Sequence, residues 1–155
     1  MSAESVERFL AQCAPDVVLT KLDRPSETGW LSAALGIEPA QIAKTLVLRV
    51  ADRGDVLLMA CGDSRVDGNK AKAVFGGKVR FVAAEEAAAL TGHEVGGICP
   101  FGLMSPLPVF CDVLLKRFDT VVTGGGATHS AVRINPLRMA EITCAEWIDV
   151  CESLR

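Results

Sequence analysis

The chain has 155 residues, half of them apolar, and a formal net charge of −3. That length suits one domain, residues 1–155, with a hydrophobic core of its own. The charge argues against a general polyanion binder, and no apolar run reaches the roughly 18–20 residues of a membrane-spanning helix.

The apolar residues Val6, Phe9, Leu10 and Cys13 recur at helical spacing and Pro15 follows, which predicts a first amphipathic helix over 3–13. A short apolar segment, VVLT, precedes RPSETGWLSAALGI, where Ser26 or Thr28 can cap a second helix ending at Gly36. EPAQIA adds one helical turn. KTLVLRV (44–50) and GDVLLMACG (54–62), joined by the polar turn ADRG, have the signature of two strands about a turn. VDGNKAKAVFG reads as a helix, KVRFVA as a strand, and AEEAAALTG as an alanine-rich helix ended by Gly92. GGICPFGL (96–103) fits neither element and is a loop. LPVFCDVLL, TVVTGG and SAVRIN read as strands, and PLRMAEIT starts a last helix with proline at its first position. Interspersed elements with hairpin-length turns predict an α/β (α+β type) domain: a mixed, largely antiparallel, barrel-like sheet with helices outside.

The opening MSAESVERFLAQCAP carries acids where an export signal would be basic and then apolar, so a cytoplasmic protein is expected. Cys13, Cys61, Cys99, Cys111, Cys144 and Cys151 are widely and irregularly spaced, which favours free thiols, with Cys61, Cys111 and Cys144 in the core. No C-x-x-C or short Cys/His pair occurs, so no metal or other cofactor is expected.

Four places can carry chemistry. Lys44 opens a strand otherwise made of aliphatic residues; it is either a snorkelling edge lysine or a positive charge at a pocket mouth, where low dielectric strengthens its pull on a carbonyl or carboxylate oxygen. The loop Gly97, Ile98, Cys99, Pro100 is either a structural turn or a ring of main-chain N–H groups presented to a ligand. Cys99 within it is a candidate nucleophile, although no cysteine-hydrolase signature surrounds it. In TGGGATHSAVRINP three glycines precede His129, a candidate general base or pocket wall; no helix follows, so this is not a phosphate loop. Lys70, Lys72, Lys78 and Arg80 fall within eleven residues without an acid, as a solvated face or a phosphate contact would.

In fixed order, AKTLVLRV, GDSRVDGNKAKAVFGGKVRFVAAEEAAALTGHEVGGICPFGL and VVTGGGATHSAVRINP resemble the YbaK/prolyl-tRNA-editing domains, also called ProX. The resemblance spans about 43–136. It implies a compact α/β fold and hydrolysis of the ester joining a misattached amino acid to tRNA, with water or a substrate group as the attacker. It implies Lys44 and Gly97 as catalytic, with Thr45, Ile98, Cys99, Pro100, Phe101, Gly102 and His129 bounding the substrate pocket. From the charge run, Lys70, Lys72, Lys78 and Arg80 are expected to contact tRNA phosphates. The expected substrate is alanyl- or cysteinyl-tRNA of the proline type, with seryl or threonyl next, and a synthetase is a possible partner. Two competing expectations are a non-catalytic module that binds the tRNA acceptor end or a synthetase, and a small-molecule thiol hydrolase with Cys99 as nucleophile.

Overall fold

A computed structural model describes residues 2–153. The first helix, α1 (Ser2–Cys13), buries Val6 and Leu10 against the main core, and Phe9 lies over Phe101 with ring centroids 5.8 Å apart. β1 (Leu19–Lys21) follows, then α2 (Thr28–Leu35), which stops where Gly36 takes a left-handed conformation. The N-cap position of α2 is Glu27, whose side chain makes no capping bond, and not Ser26 or Thr28 as expected. A 3-10 turn, Pro39–Gln41, leads into the long hairpin of β2 (Ala43–Val50) and β3 (Gly54–Cys61), paired without a break from Ala43 opposite Cys61 to Val50 opposite Gly54.

After β4 (Ser64–Val66), the Asp67 carboxylate caps α3 (Gly68–Phe75) by accepting from the Asn69 and Lys70 N–H groups. β5 (Val79–Phe81), α4 (Ala84–Thr91) and β6 (Val109–Asp112) come next, with the glycine loop between the last two. LPVFCDVLL is therefore not one strand. Asp112 ends it: one carboxylate oxygen accepts from Leu114 N–H at 3.0 Å to start the 3-10 turn Val113–Arg117, and the other accepts from Val150 and Cys151, each at 3.0 Å. β7 (Val121–Gly124), β8 (Ser130–Ile134), α5 (Pro136–Thr143), β9 (Glu146–Ile148) and β10 (Cys151–Ser153) complete the described chain. Asn135 caps α5 through the Arg138 N–H, and Pro136 is its first residue. β4, β9 and β10 went unpredicted because three residues are too few to show an alternating pattern.

The strands form three sheets, in the orders β5-β2-β3-β6-β9, β1-β8-β7 and β10-β4. Among the strand pairs of the described residues only β3–β6 and β6–β9 run parallel, so the mixed, largely antiparallel expectation holds. The sheets do not close into a continuous barrel, because β5 and β9 remain edges of the five-stranded sheet. The main core lies between that sheet and the three-stranded one, on the face of Ala43, Val47, Leu57 and Met59. A second core on the opposite face gathers Leu48, Val50, Val56 and Leu58 with Ala71 and Phe75 of α3. Burying each large aliphatic side chain contributes about 1.5–3 kcal/mol, so both faces of β2 and β3 are held rigidly. All six cysteines are free thiols; Cys144 is exposed as the left-handed C-cap of α5 and is not in the core as expected, whereas Cys61 and Cys111 are. Among the described residues no helix is long and apolar enough to cross a membrane.

Candidate functional site

The two larger sheets touch at one parallel bridge, Ile42 to Val122. Beyond it β2 and β7 share no further pairing, so the two strands fork. A pocket of about 210 Å³ fills the fork. Ile42, Ala43, Lys44 and Thr45 line it from β2, Thr123 and Gly124 from β7, Gly96 and Ile98 from the glycine loop, and Ser26 and Leu31 from the α2 side.

Strand register explains what β2 offers there. On its far edge Arg49 pairs with Arg80, and the Val47 carbonyl accepts from Val82 N–H at 2.9 Å. Main-chain groups alternate edges along a strand, so the odd-numbered residues of β2 face this edge. Thr45 therefore turns its N–H and C=O toward the fork, where no strand pairs with it. Its side chain lies on the main-core face, and its hydroxyl donates to the Met59 sulfur at 3.3 Å, a weak acceptor.

Lys44 leaves the strand on the opposite face from Thr45, because successive side chains alternate. It is half-buried, it is the one charged side chain lining the pocket among the described residues, and its Nζ donates to the Ser64 carbonyl at the start of β4. An ammonium has three donors, so two remain for a ligand.

The glycine loop is laced to the triple-glycine turn by main-chain bonds. Glu94 N–H donates to Gly126 O at 3.0 Å, Gly126 N–H to Gly97 O at 2.7 Å, and Gly97 N–H to Glu94 O at 2.9 Å. The Glu94 carboxylate also accepts from Thr128 N–H at 3.1 Å. Gly97 approaches so closely that a Cβ there would lie 2.6 Å from the Ala127 backbone, and one on Gly124 would lie 3.1 Å from Gly97 O. The structure thus corrects the reading of Gly97 as a presented donor. Its N–H is engaged, it does not line the pocket, and it acts by letting two loops meet.

Other expected pocket residues separate in the same way. Ile98 and Thr45 line the pocket, but Cys99, Pro100 and Phe101 are buried beneath it, and Gly102 (φ +61°) is held against the Ser5 backbone of α1. Cys99 Sγ lies 3.7 Å from His93 Nε2, which donates to the Phe101 carbonyl at 2.7 Å. Complete burial pushes the Cys99 thiol up to about 12, so it is protonated at neutral pH and shielded from solvent. Its burial argues against Cys99 as a nucleophile. His129 is exposed outside the lining of the pocket; its Nδ1 shares a 2.8 Å hydrogen bond with Thr128 Oγ1, and its carbonyl accepts from Leu22 N–H at 2.7 Å.

Lys70, Lys72, Lys78 and Arg80 are exposed on α3, β5 and the turn between them, and Lys70 pairs with Asp149 at 3.1 Å. Arg80 stands opposite Arg49, five residues along β2 from Lys44, or about 17 Å at 3.3–3.4 Å per residue. None of the four lines the pocket. Sequence reasoning missed Ser26, Leu31, Ile42, Ala43, Gly96, Thr123 and Gly124 as lining residues. TVVTGG ran as a strand into glycines, which signalled a turn but not which hydroxyl faced inward.

The sequence profile of the aminoacyl-tRNA editing domain matches residues 28–142. YwhH of Bacillus subtilis, an uncharacterized protein, is 36% identical over 154 residues, 98% of each chain. EbsC of Enterococcus faecalis, a candidate Cys-tRNA(Pro)/Cys-tRNA(Cys) deacylase, is 25% identical over 121 residues, 77% of this chain and 74% of EbsC. The crystal structure of a candidate trans-editing enzyme for prolyl tRNA synthetase superposes with a TM-score of 0.89 at 30% identity, covering 98% of each chain.

Proposed function

Because this chain belongs to the aminoacyl-tRNA editing domain family and is an aminoacyl-tRNA deacylase, we propose that residues 1–155 form one editing unit that removes a small misattached amino acid, cysteine or alanine, from proline tRNA. The observation that carries this reading is the fork between β2 and β7, with Lys44 as its single lining charge and unpaired strand-edge main chain beside it. The proline tRNA is supported by EbsC and by the trans-editing structure, and the small side chain by the cysteinyl-tRNA activity for which EbsC is named.

In this reading the ester carbonyl lies against Lys44, whose two remaining donors stabilise the oxyanion as water or a substrate group attacks. Thr45 main chain orients the aminoacyl group from the open strand edge, and Ile98 and Leu31 close the pocket around its side chain. The protein supplies no nucleophile; the ester is already activated, and the pocket's role is placement and charge. Such a second pocket is useful because a synthetase separates amino acids differing by one methylene only ~10- to 200-fold. Lys78 and Arg80, at the far end of β2, and Lys70 and Lys72, on α3, meet tRNA phosphates and not the ester, and His129 shapes the rim. The protein works in the cytoplasm, alone or beside a synthetase.

The test is a deacylation panel of alanyl-, cysteinyl-, seryl- and threonyl-tRNA(Pro), with prolyl-tRNA(Pro) as control, on wild type and Lys44→Ala. Loss of one preorganised oxyanion donor costs ~10²- to 10³-fold in turnover. A Lys44→Ala enzyme that raises KM and keeps kcat overturns the assigned role. Binding of the tRNAs without release of any amino acid overturns the deacylase reading and leaves a binding module.

A further inference from the structure

Thr123 is the third residue of β7, directly opposite Val132 and on the main-core face, where it lines the pocket. It is 1% exposed, and its Oγ1 has no hydrogen-bond partner. A buried hydroxyl without a partner is uncommon in a folded protein and costs stability relative to one that is paired.

The other hydroxyl-bearing side chains that line the pocket are engaged. Thr45 Oγ1 donates to Met59 Sδ at 3.3 Å, and Ser26 Oγ donates to Gly96 O at 3.3 Å. Ile42, Ala43, Ile98 and Leu31 supply only apolar surface. Thr123 is therefore the one lining residue among those described whose hydroxyl has no hydrogen-bond partner. It is also more deeply buried than Lys44, which is half-buried.

We propose that Thr123 reads the side chain of the aminoacyl group: its buried hydroxyl pairs with a thiol or hydroxyl on the substrate's Cβ. Resting on the editing function above, this makes cysteinyl and seryl esters the preferred substrates over alanyl. An alanyl methyl fits the same space but leaves Oγ1 unpaired. The discrimination is a hydrogen bond made or not made, and not a difference of size, because a methyl and a hydroxymethyl differ by a single heavy atom. Pockets that recognise a polar atom in this way discriminate far better than pockets that measure a methylene.

The experiment measures kcat/KM for cysteinyl-, seryl- and alanyl-tRNA(Pro) with wild type, Thr123→Val and Thr123→Ser, alongside their melting temperatures. Wild type is expected to prefer the cysteinyl and seryl esters. Thr123→Val, which keeps shape and removes the hydroxyl, should lower the Cys:Ala and Ser:Ala ratios by about 10-fold, and Thr123→Ser should restore them. Equal losses on all three substrates would assign the hydroxyl to the shared aminoacyl group and overturn the proposal, as would unchanged ratios. Should Thr123→Val fail to fold, the wild-type ratios decide: faster hydrolysis of alanyl-tRNA(Pro) than of both polar esters overturns the proposal while the editing function stands. If wild type hydrolyses none of the three, the editing function itself falls, and this proposal with it.

Discussion

Gly97→Ala places a methyl group where the Ala127 backbone already sits, with Cβ 2.6 Å from its N, C and O atoms. All three are main chain, so no side-chain rotation relieves the overlap. Ordinary contact begins near 3.4 Å, so the loops must part by about 0.8 Å. That carries the Gly126 N–H to Gly97 O bond from 2.7 Å to beyond the usual limit near 3.2 Å. Overpacking of this kind costs ~1–3 kcal/mol and a lost hydrogen bond ~0.5–1.5, together about 2–4 kcal/mol. For a domain of this size that is a fall in melting temperature of roughly 5–15 °C, read by circular dichroism. Deacylation should drop in step, because Gly96 and Ile98 are walls of the pocket and move with the loop. A Gly97→Ala protein that melts within about 2 °C of wild type refutes the close approach, since even ~1 kcal/mol should shift the transition that far.

Thiol titration of the native protein should count two reactive cysteines, Cys13 and Cys144, and six after denaturation, because the other four are buried and Cys99, Cys111 and Cys151 are pushed up to about 12 by burial first of all. Burial holds His93 below its ordinary value of 6.5, so the unfolded chain takes up a proton that the folded chain resists. Stability is then complete above pH ~6.5 and falls as pH drops below it, by at most ~1.4 kcal/mol per pH unit from this group, and His93→Gln should flatten that slope in melting curves between pH 7.5 and 5.5. Asp112→Ala strands the N–H groups of Leu114, Val150 and Cys151, which should cost roughly 3–5 kcal/mol in urea unfolding; a loss under ~1 kcal/mol would show that water replaces the carboxylate.

The longer elements were legible because each carries its own period and punctuation. β2 and β3 are aliphatic runs around a polar turn, and α4 ends at a glycine that takes φ +80°. What remained hidden depends on contacts between distant segments. Asp112 looked like one polar residue inside an apolar strand, yet its carboxylate joins residues 38 and 39 positions away and ends that strand. β9 and β10 are three residues each and are strands by virtue of their partners. At the site, Lys44 and the glycine loop stood out as unusual residue types in their surroundings. Thr123 did not, because a threonine in VVT is an ordinary strand residue until its neighbours are known. Gly97 was expected in the chemistry and Cys99 in the pocket wall; the glycine instead lets two loops meet, and the thiol is buried in the core.

A fork between two strands is a physically economical way to make such a site. Strands that pair at Ile42 and Val122 and then diverge leave main-chain donors and acceptors unpaired on both inner edges, and buried main-chain polar groups must find partners. The Gly96–Ile98 loop enters the gap, but Gly97 turns its N–H back to Glu94 and its carbonyl to Gly126, so it closes the wall without satisfying the β2 edge. Thr45 main chain and Thr123 hydroxyl are left in want of hydrogen bonds, with Lys44 half-buried beside them. An aminoacyl ester carries the complementary set: an ammonium, a carbonyl that becomes an oxyanion, and a short side chain. The rigidity of the surroundings then matters as much as their chemistry, since β2 is packed on both faces and cannot move to pair with itself or with β7. Selectivity follows from which substrate completes the hydrogen bonds that the fold leaves unmade.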